Sequence, residues 1–230
     1  MKSEFLTTAA HELRTPMASI YGYAELLMAR EFKPEKQREL LATISHQSQV
    51  MSSIINELLD LARIESRRGK DFVIARHALH EPVQAAIGGY HPPQGRPGPV
   101  VLGDGASLFA EFDPSKLEQA VTNILSNAYK YSPGGGAVTV QYLQDPGSDA
   151  NGSPARVGVA VQDCGLGMTP EQAARIFERF YRADASGHIP GTGLGMSIVK
   201  EIIELQHGSV QVVSEAGVGT SVTLWLPRAQ

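Results

Sequence analysis

The chain has 230 residues, 42% of them hydrophobic, with a formal charge of −4 and a single cysteine, Cys164. That length carries one large core or two modest ones, and the mild acidity excludes a nucleic-acid surface. One cysteine excludes an intrachain disulfide and fits a reducing, cytoplasmic setting, while no stretch reaches the roughly 18 apolar residues of a membrane span.

Met1 leads at once into a helical pattern rather than a signal peptide. Phe5, Ala9, Leu13, Met17, Ile20, Ala24 and Leu27 recur at spacings of three and four, one stripe of an amphipathic helix. His11 lies off that stripe. Its neighbours on the same face are Thr7, Thr8, Arg14 and Thr15, so its imidazole is expected to face water beside Glu12. An incidental surface histidine would look the same, and only the rest of the chain separates the two readings. A second stripe runs through Leu40, Ile44, Met51, Ile54, Leu58 and Ile64. Glu31-Phe32-Lys33-Pro34 interrupts the two helices, with Pro34 suited to the first turn of the second. A single hairpin cannot bury both stripes against itself, whereas two hairpins form a four-helix bundle. A homodimer through residues 3–66 is therefore expected, with a dimerisation domain over 1–66.

Arg67-Arg68-Gly69-Lys70-Asp71 reads as a linker, 67–71. Beyond it the pattern predicts a strand at Phe72–Arg76, a helix at Leu79–Ile87, a Gly/Pro-rich loop at Gly88–Pro99 and a strand at Val100–Leu102. A strong helix covers Pro114–Tyr131. Strands follow at Ala137–Leu143 and Arg156–Gln162, joined by a hairpin tip over 144–154. A glycine loop, a helix from Pro170 to Phe177, a polar loop, a helix from Leu194 to Gln206 and strands at Ser209–Ser214 and Thr220–Leu226 complete the chain. The second domain, 72–228, is thus an α/β sandwich with a mixed sheet.

Three constellations in this domain point to chemistry. Asn123, Asn127 and Lys130 or Tyr131 line one face of the helix Pro114–Tyr131, opposite Val121, Ile124, Leu125 and Ala128. Amide oxygens are hard ligands suited to Mg²⁺, and a lysine supplies a point charge for phosphates. A solvated helix face would read similarly. Asp163-Cys164-Gly165-Leu166-Gly167 places a carboxylate at a strand end and glycines where a loop approaches a ligand closely; an Asp-Gly turn is the plainer alternative. Gly191-Thr192-Gly193-Leu194-Gly195 opens a helix, where backbone N–H groups can hold phosphate. Between the glycine loops, Phe177 and Phe180 read as anchors for a lid over Ala183–Pro190, with Arg182 at its edge able to reach a terminal phosphate.

Taken together, these residues resemble the sensor histidine kinases of two-component systems. His11-Glu12-Leu13-Arg14-Thr15-Pro16 is similar to the H-box, Asn123 to Pro133 to the N-box, and Asp163 to Gly167 to the G1 box. Ile176–Arg182 is similar to the F-box and Gly191–Gly195 to the G2 box. The resemblance implies an ATP-binding fold of the histidine-kinase, gyrase, Hsp90 and MutL type after the helical hairpin. It implies that Asn127 binds Mg²⁺ with Asn123 nearby, that Lys130 and Arg182 hold phosphates, that Tyr131 stacks on the base and that Asp163 accepts from adenine. Gly165 and Gly167, Phe180, and the loop Gly191, Thr192, Gly193, Leu194 and Gly195 would contribute to the same nucleotide site.

The activity implied is autophosphorylation of His11 from ATP, with Glu12 accepting the released proton, followed by transfer to an aspartate on a response regulator receiver domain. Thr15 would position water for the reverse, phosphatase reaction. The full-length protein would be membrane-anchored, this stretch being the cytoplasmic part of an inner-membrane sensor. Two other readings stay open at this point. One is an ATP hydrolase or ATP-gated clamp of the gyrase and Hsp90 type, which would carry a glutamate at Asn123; the other is a dimeric scaffold with a degenerate nucleotide site.

Overall fold

The structure, a computed structural model, describes residues 2–147, 155–184, 189 and 191–229, without the side chains of 2–4 and 6. It divides into two compact units, Met1–Arg63 and Ile64–Gln230.

The first unit is a helical hairpin. Helix α1 spans Lys2–Ala29 and α2 spans Pro34–Arg67, running past the unit's end. Pro34 opens α2 as expected, since a first-turn residue needs no N–H. Ala9, Leu40 and Ile54 are buried, in keeping with the two stripes. Met17 departs from its stripe: it is 56% exposed, and the neighbouring Pro16 is buried instead. Pro16 also lacks the N–H that would bond the Glu12 carbonyl, which loosens the turn next to His11.

The second unit contains β1 (Ala75–Ala78), α3 (His80–Gly89), β2 (Val100–Leu102), β3 (Phe109–Phe112) and α4 (Pro114–Lys130). Beyond these lie β4 (Thr139–Asp145), β5 (Arg156–Gln162), α5 (Pro170–Arg175), α6 (Gly195–Glu204), β6 (Ser209–Glu215) and β7 (Gly219–Pro227). The main sheet has the order β2-β4-β5-β7-β6, with β2 parallel to β4 and the other pairs antiparallel. It is the mixed sheet anticipated, built around the two hairpins β4–β5 and β6–β7. The hairpin tip lies partly outside the described residues, at 148–154. Val157, Val159 and Val161 of β5 and Val222, Leu224 and Leu226 of β7 are buried. Their period of two puts them on one sheet face, where α4 packs on β5 and α6 on β6 and β7.

Two corrections concern the start of this unit. The first strand lies at Ala75–Ala78 rather than Phe72–Arg76, because its partner is the unanticipated β3: Ala75 pairs with Phe112 and Ala78 with Phe109. Phe72-Val73-Ile74 instead leads into it, with the Val73 N–H donating to Asp113 Oδ2 at 2.8 Å. Smaller shifts affect the helices, since α5 stops at Arg175 and α6 at Glu204.

Asp113 joins these pieces. As N-cap of α4 its Oδ1 accepts from the N–H groups of Ser115 (2.9 Å) and Lys116 (3.3 Å), and from the Ser115 hydroxyl. Its own N–H donates to Gln206 Oε1 at 2.6 Å, just beyond α6. Burial pushes this carboxyl up, but the donors from Ser115, Val73 and Lys116 outweigh it and hold the group below its ordinary value. Asp113→Ala should destabilise the second unit by about 2 kcal/mol in urea titration. The depressed pKa means that Asp113 contributes above the ordinary carboxylate range and loses its contribution as pH falls through its folded-state value. The gap between wild type and variant should therefore close on acidification.

Candidate functional site

In the first unit, the His11 side chain is 73% exposed and its Nδ1 lies 3.9 Å from Glu12 Oε1. Thr15, read from the sequence as a holder of water, points its hydroxyl back to the His11 carbonyl at 3.4 Å. This backbone bond is common for threonine inside helices. Arg14 is exposed. The imidazole thus stands out from its helix, with a carboxylate near one ring nitrogen.

In the second unit, α4 presents Asn123, Asn127 and Tyr131 half-buried and Lys130 exposed, while Val121, Ile124, Leu125 and Ala128 are buried. Tyr131 is the C-cap, one residue past the helix, and its N–H donates to the Asn127 carbonyl at 2.9 Å. Burial pushes its phenol up; Arg182 and Asp184 lie close enough to act on it in opposite senses.

Asp163 follows β5 and is 7% exposed. Its Oδ1 accepts from the Gly165 N–H at 2.8 Å, and the Thr220 backbone N–H also serves the carboxylate. Burial pushes this carboxyl above its usual value, against the partial offset of backbone hydrogen bonds at Gly165 and Thr220. The glycine after it is dictated by contact. A Cβ on Gly165 would sit 2.1 Å from the Tyr131 carbonyl oxygen, the same oxygen that accepts from the Leu166 N–H. The loop carrying Asp163 is thereby pressed against the end of α4. On its other side Gly167 abuts the backbone of Glu215, and the Leu166 carbonyl accepts from the Gly217 N–H at 2.7 Å.

The third loop begins α6. Leu194, expected as the first helical residue, is the buried N-cap, and Gly195 begins the helix. The buried Thr192 accepts from the Leu194 N–H at 3.1 Å. Gly193, at φ +74°, bonds through its carbonyl to the Phe180 N–H, and a Cβ there would lie 2.6 Å from the Phe180 carbonyl carbon. Phe180 itself adopts φ +62°, an uncommon conformation for a bulky residue, so the aromatic segment between the glycine loops meets the third loop at a strained residue. Around Gly191 and Gly195, by contrast, a Cβ would meet nothing within 4 Å among the described residues. These two glycines leave backbone at the helix start open to an incoming group.

Arg182 is engaged by its own chain. Its guanidinium donates to the Ile189 carbonyl, and its Nε is buried without a partner among the described residues. The Ile189 N–H in turn donates to Asp184 Oδ2. The anticipated lid, Ala183–Pro190, falls largely on residues outside those described, 185–188 and 190. Phe177 lies below Lys200, whose Nζ is 5.4 Å from the ring centroid.

Sequence reasoning passed over Arg96, in the Gly/Pro-rich loop. It donates to the Ser132 carbonyl (2.5 Å), the Ser132 hydroxyl and the Gly136 carbonyl (both 3.1 Å). Its partners are 36 and 40 residues away, which left no local signal.

Both units match known families. Residues 1–67 match the His Kinase A (phospho-acceptor) domain, and residues 112–230 match the histidine kinase-, DNA gyrase B- and HSP90-like ATPase family. The chain belongs to the two-component sensor histidine kinases. Drug sensory protein A of Synechocystis is 33% identical over 99% of this chain, and the sensor protein GacS of Pseudomonas syringae is 34% identical over all of it. The chain spans 35% and 26% of those two proteins. The sensor protein kinase WalK of Staphylococcus aureus is 31% identical over 98% of this chain and 54% of its own length. Among solved structures, full-length ShkA in complex with AMPPNP aligns with TM-score 0.61 at 26% identity, covering 99% of this chain and 46% of that one. The histidine kinase AdeS of Acinetobacter baumannii shares the fold with TM-score 0.64 at 20% identity, over 96% and 98%. Among the described residues, no helix is long and apolar enough to cross a membrane.

Proposed function

We propose that the chain binds ATP·Mg²⁺ in its second unit, transfers the γ-phosphoryl group to His11, and passes it on to an aspartate of a response regulator. The corresponding division is a dimerisation and phosphotransfer domain over 1–66, a linker over 67–71 and a catalytic domain over 72–228. The observation that carries this reading is a chain of contacts that links three separate motifs to the end of α4. The Asp163 loop touches Tyr131, Arg182 lies near Tyr131, and Phe180 bonds Gly193.

The residues fit the nucleotide. Asp163 offers a buried acceptor for the exocyclic amine of adenine, and Tyr131 a ring for the base. Lys130 and Arg182 supply positive charge, and the open backbone at Gly191 and Gly195 suits phosphate at the start of α6. Asn127 would hold Mg²⁺ through its amide oxygen, with Asn123 one turn earlier; the ion would neutralise phosphate charge. Asparagine at 123 lacks the carboxylate that would activate water, which favours transfer over hydrolysis. At the acceptor, one ring nitrogen of neutral His11 attacks the γ-phosphorus in line. The bond to the bridging oxygen breaks, ADP departs, and Glu12 takes the proton from the other ring nitrogen. Incubation with γ-labelled ATP and Mg²⁺ tests the reading, with label expected on His11.

The hairpin should act as a homodimer through residues 3–66. Met17, Tyr21 and Met28 on α1 and Leu41, Ile55 and Leu59 on α2 are exposed apolar residues at helical spacings, an arrangement that a second copy would cover. Leu59→Glu should halve the molar mass measured by light scattering, because it places charge on that face. An unchanged mass would move the interface elsewhere. The anchored sensor implied by the family remains a proposal about the full-length protein.

A further inference from the structure

We propose that Arg96 is a positioning residue for the nucleotide site, acting through the exit of α4. Lys130 and Tyr131 are the last turn of that helix and its cap; the chain then turns through Ser132 to Gly136, which bounds the Asp163 loop. A Cβ on Gly136 would lie 3.0 Å from Cys164 Cβ, so the two segments are in contact. Three of the acceptors that fix this turn are met by one guanidinium. Arg96 donates to the Ser132 carbonyl and hydroxyl and to the Gly136 carbonyl. Ser132 is fully buried, and its hydroxyl donates onward to the Ala128 carbonyl at 2.5 Å, one of the orphan acceptors at the helix end. A cation placed there also opposes the negative end of the helix dipole.

Arg96 is itself held in place. Its guanidinium lies 5.3 Å from the Tyr129 ring centroid, the Tyr129 hydroxyl donates to the Pro97 carbonyl at 2.8 Å, and Tyr90 stacks on Tyr129 at 5.2 Å. The Gly/Pro-rich loop is therefore a strap whose one charged contact grips the turn behind Lys130 and Tyr131. Arginine suits the task because its planar fork serves three acceptors at fixed angles, which a lysine ammonium does not reproduce. Loss of the grip leaves the helix in place but lets Tyr131 and the Asp163 loop drift apart, and nucleotide affinity falls with their registry.

The inference rests on the nucleotide reading above, and the experiment separates the two. A non-hydrolysable ATP analogue is titrated into the 230-residue wild type, Arg96→Ala and Arg96→Lys, and labelling rates are measured against ATP concentration. The expected result is a Kd and a KM for ATP raised about tenfold in Arg96→Ala and about threefold in Arg96→Lys, with the rate at saturation within about twofold of wild type. A merely structural role would lower the melting temperature and the active fraction but leave Kd and KM unchanged, which overturns the proposal. If Arg96→Ala does not fold, Arg96→Lys decides by the same criterion. Wild-type affinity in the folded variants removes Arg96 alone; absence of binding by wild type removes the nucleotide reading and Arg96 with it.

Discussion

Asp163→Asn should weaken nucleotide binding by about 10- to 100-fold while leaving the fold intact. The substitution separates two jobs held by one side chain. An asparagine carbonyl can keep the 2.8 Å bond that Oδ1 accepts from the Gly165 N–H, so the loop retains its shape against Tyr131. It replaces Oδ2 with an NH₂ group, however, and sets a donor against the donor of the base in a nearly closed environment. An unsatisfied buried pair of this kind costs more than the lost bond alone. Calorimetric titration with ATP checks the binding, and the melting temperature without nucleotide checks the fold. The wild type should also show a pH signature. Burial raises the pKa of Asp163, so its carboxylate is neutralised at a higher pH than an exposed one and nucleotide binding weakens from that higher pH downward. Without nucleotide the sign reverses. A raised carboxyl favours the fold below the ordinary carboxylate range and loses that contribution as pH rises through the folded-state value. Asp163→Asn should abolish both dependences.

His11→Gln should reduce covalent labelling from γ-labelled ATP to background while nucleotide affinity stays within about twofold of wild type, since the acceptor belongs to the other unit. Glutamine preserves a polar, helix-compatible side chain on an exposed face, so the hairpin has no reason to unfold. Equal labelling of variant and wild type would remove His11 as acceptor, whatever the state of the nucleotide site.

The sequence was most readable where physics is local. Pro34 and the periodic stripes announced α1 and α2, Pro114 stood at the start of α4, and apolar runs marked β5 and β7. The motif residues around Tyr131, which alone would read as a solvated face, could be picked out by their order relative to the two glycine loops. Long-range pairing was less accessible. Strand β3 exists because Phe109–Phe112 pairs with Ala75–Ala78 more than thirty residues earlier, and no turn signal links them. Asp113 is tied to Gln206 across 93 residues, and Arg96 to the turn after α4 across 36 to 40. The left-handed Phe180 opposite Gly193 was equally hidden, because its conformation is imposed by the contact and not by its own preference. Met17 shows a different gap. Apolar periodicity reports that a face is to be covered, without saying whether the cover comes from the same chain or another.

The central claim is that this chain moves a phosphoryl group from ATP to a histidine on its own N-terminal helix. Its most direct test is to incubate the wild-type chain with γ-labelled ATP and Mg²⁺, treat the product with acid and with base, and map the label by mass spectrometry. The account predicts label that is lost in acid, survives base and resides on His11. Release of inorganic phosphate with no label on the protein, or label mapped to another residue, would contradict it.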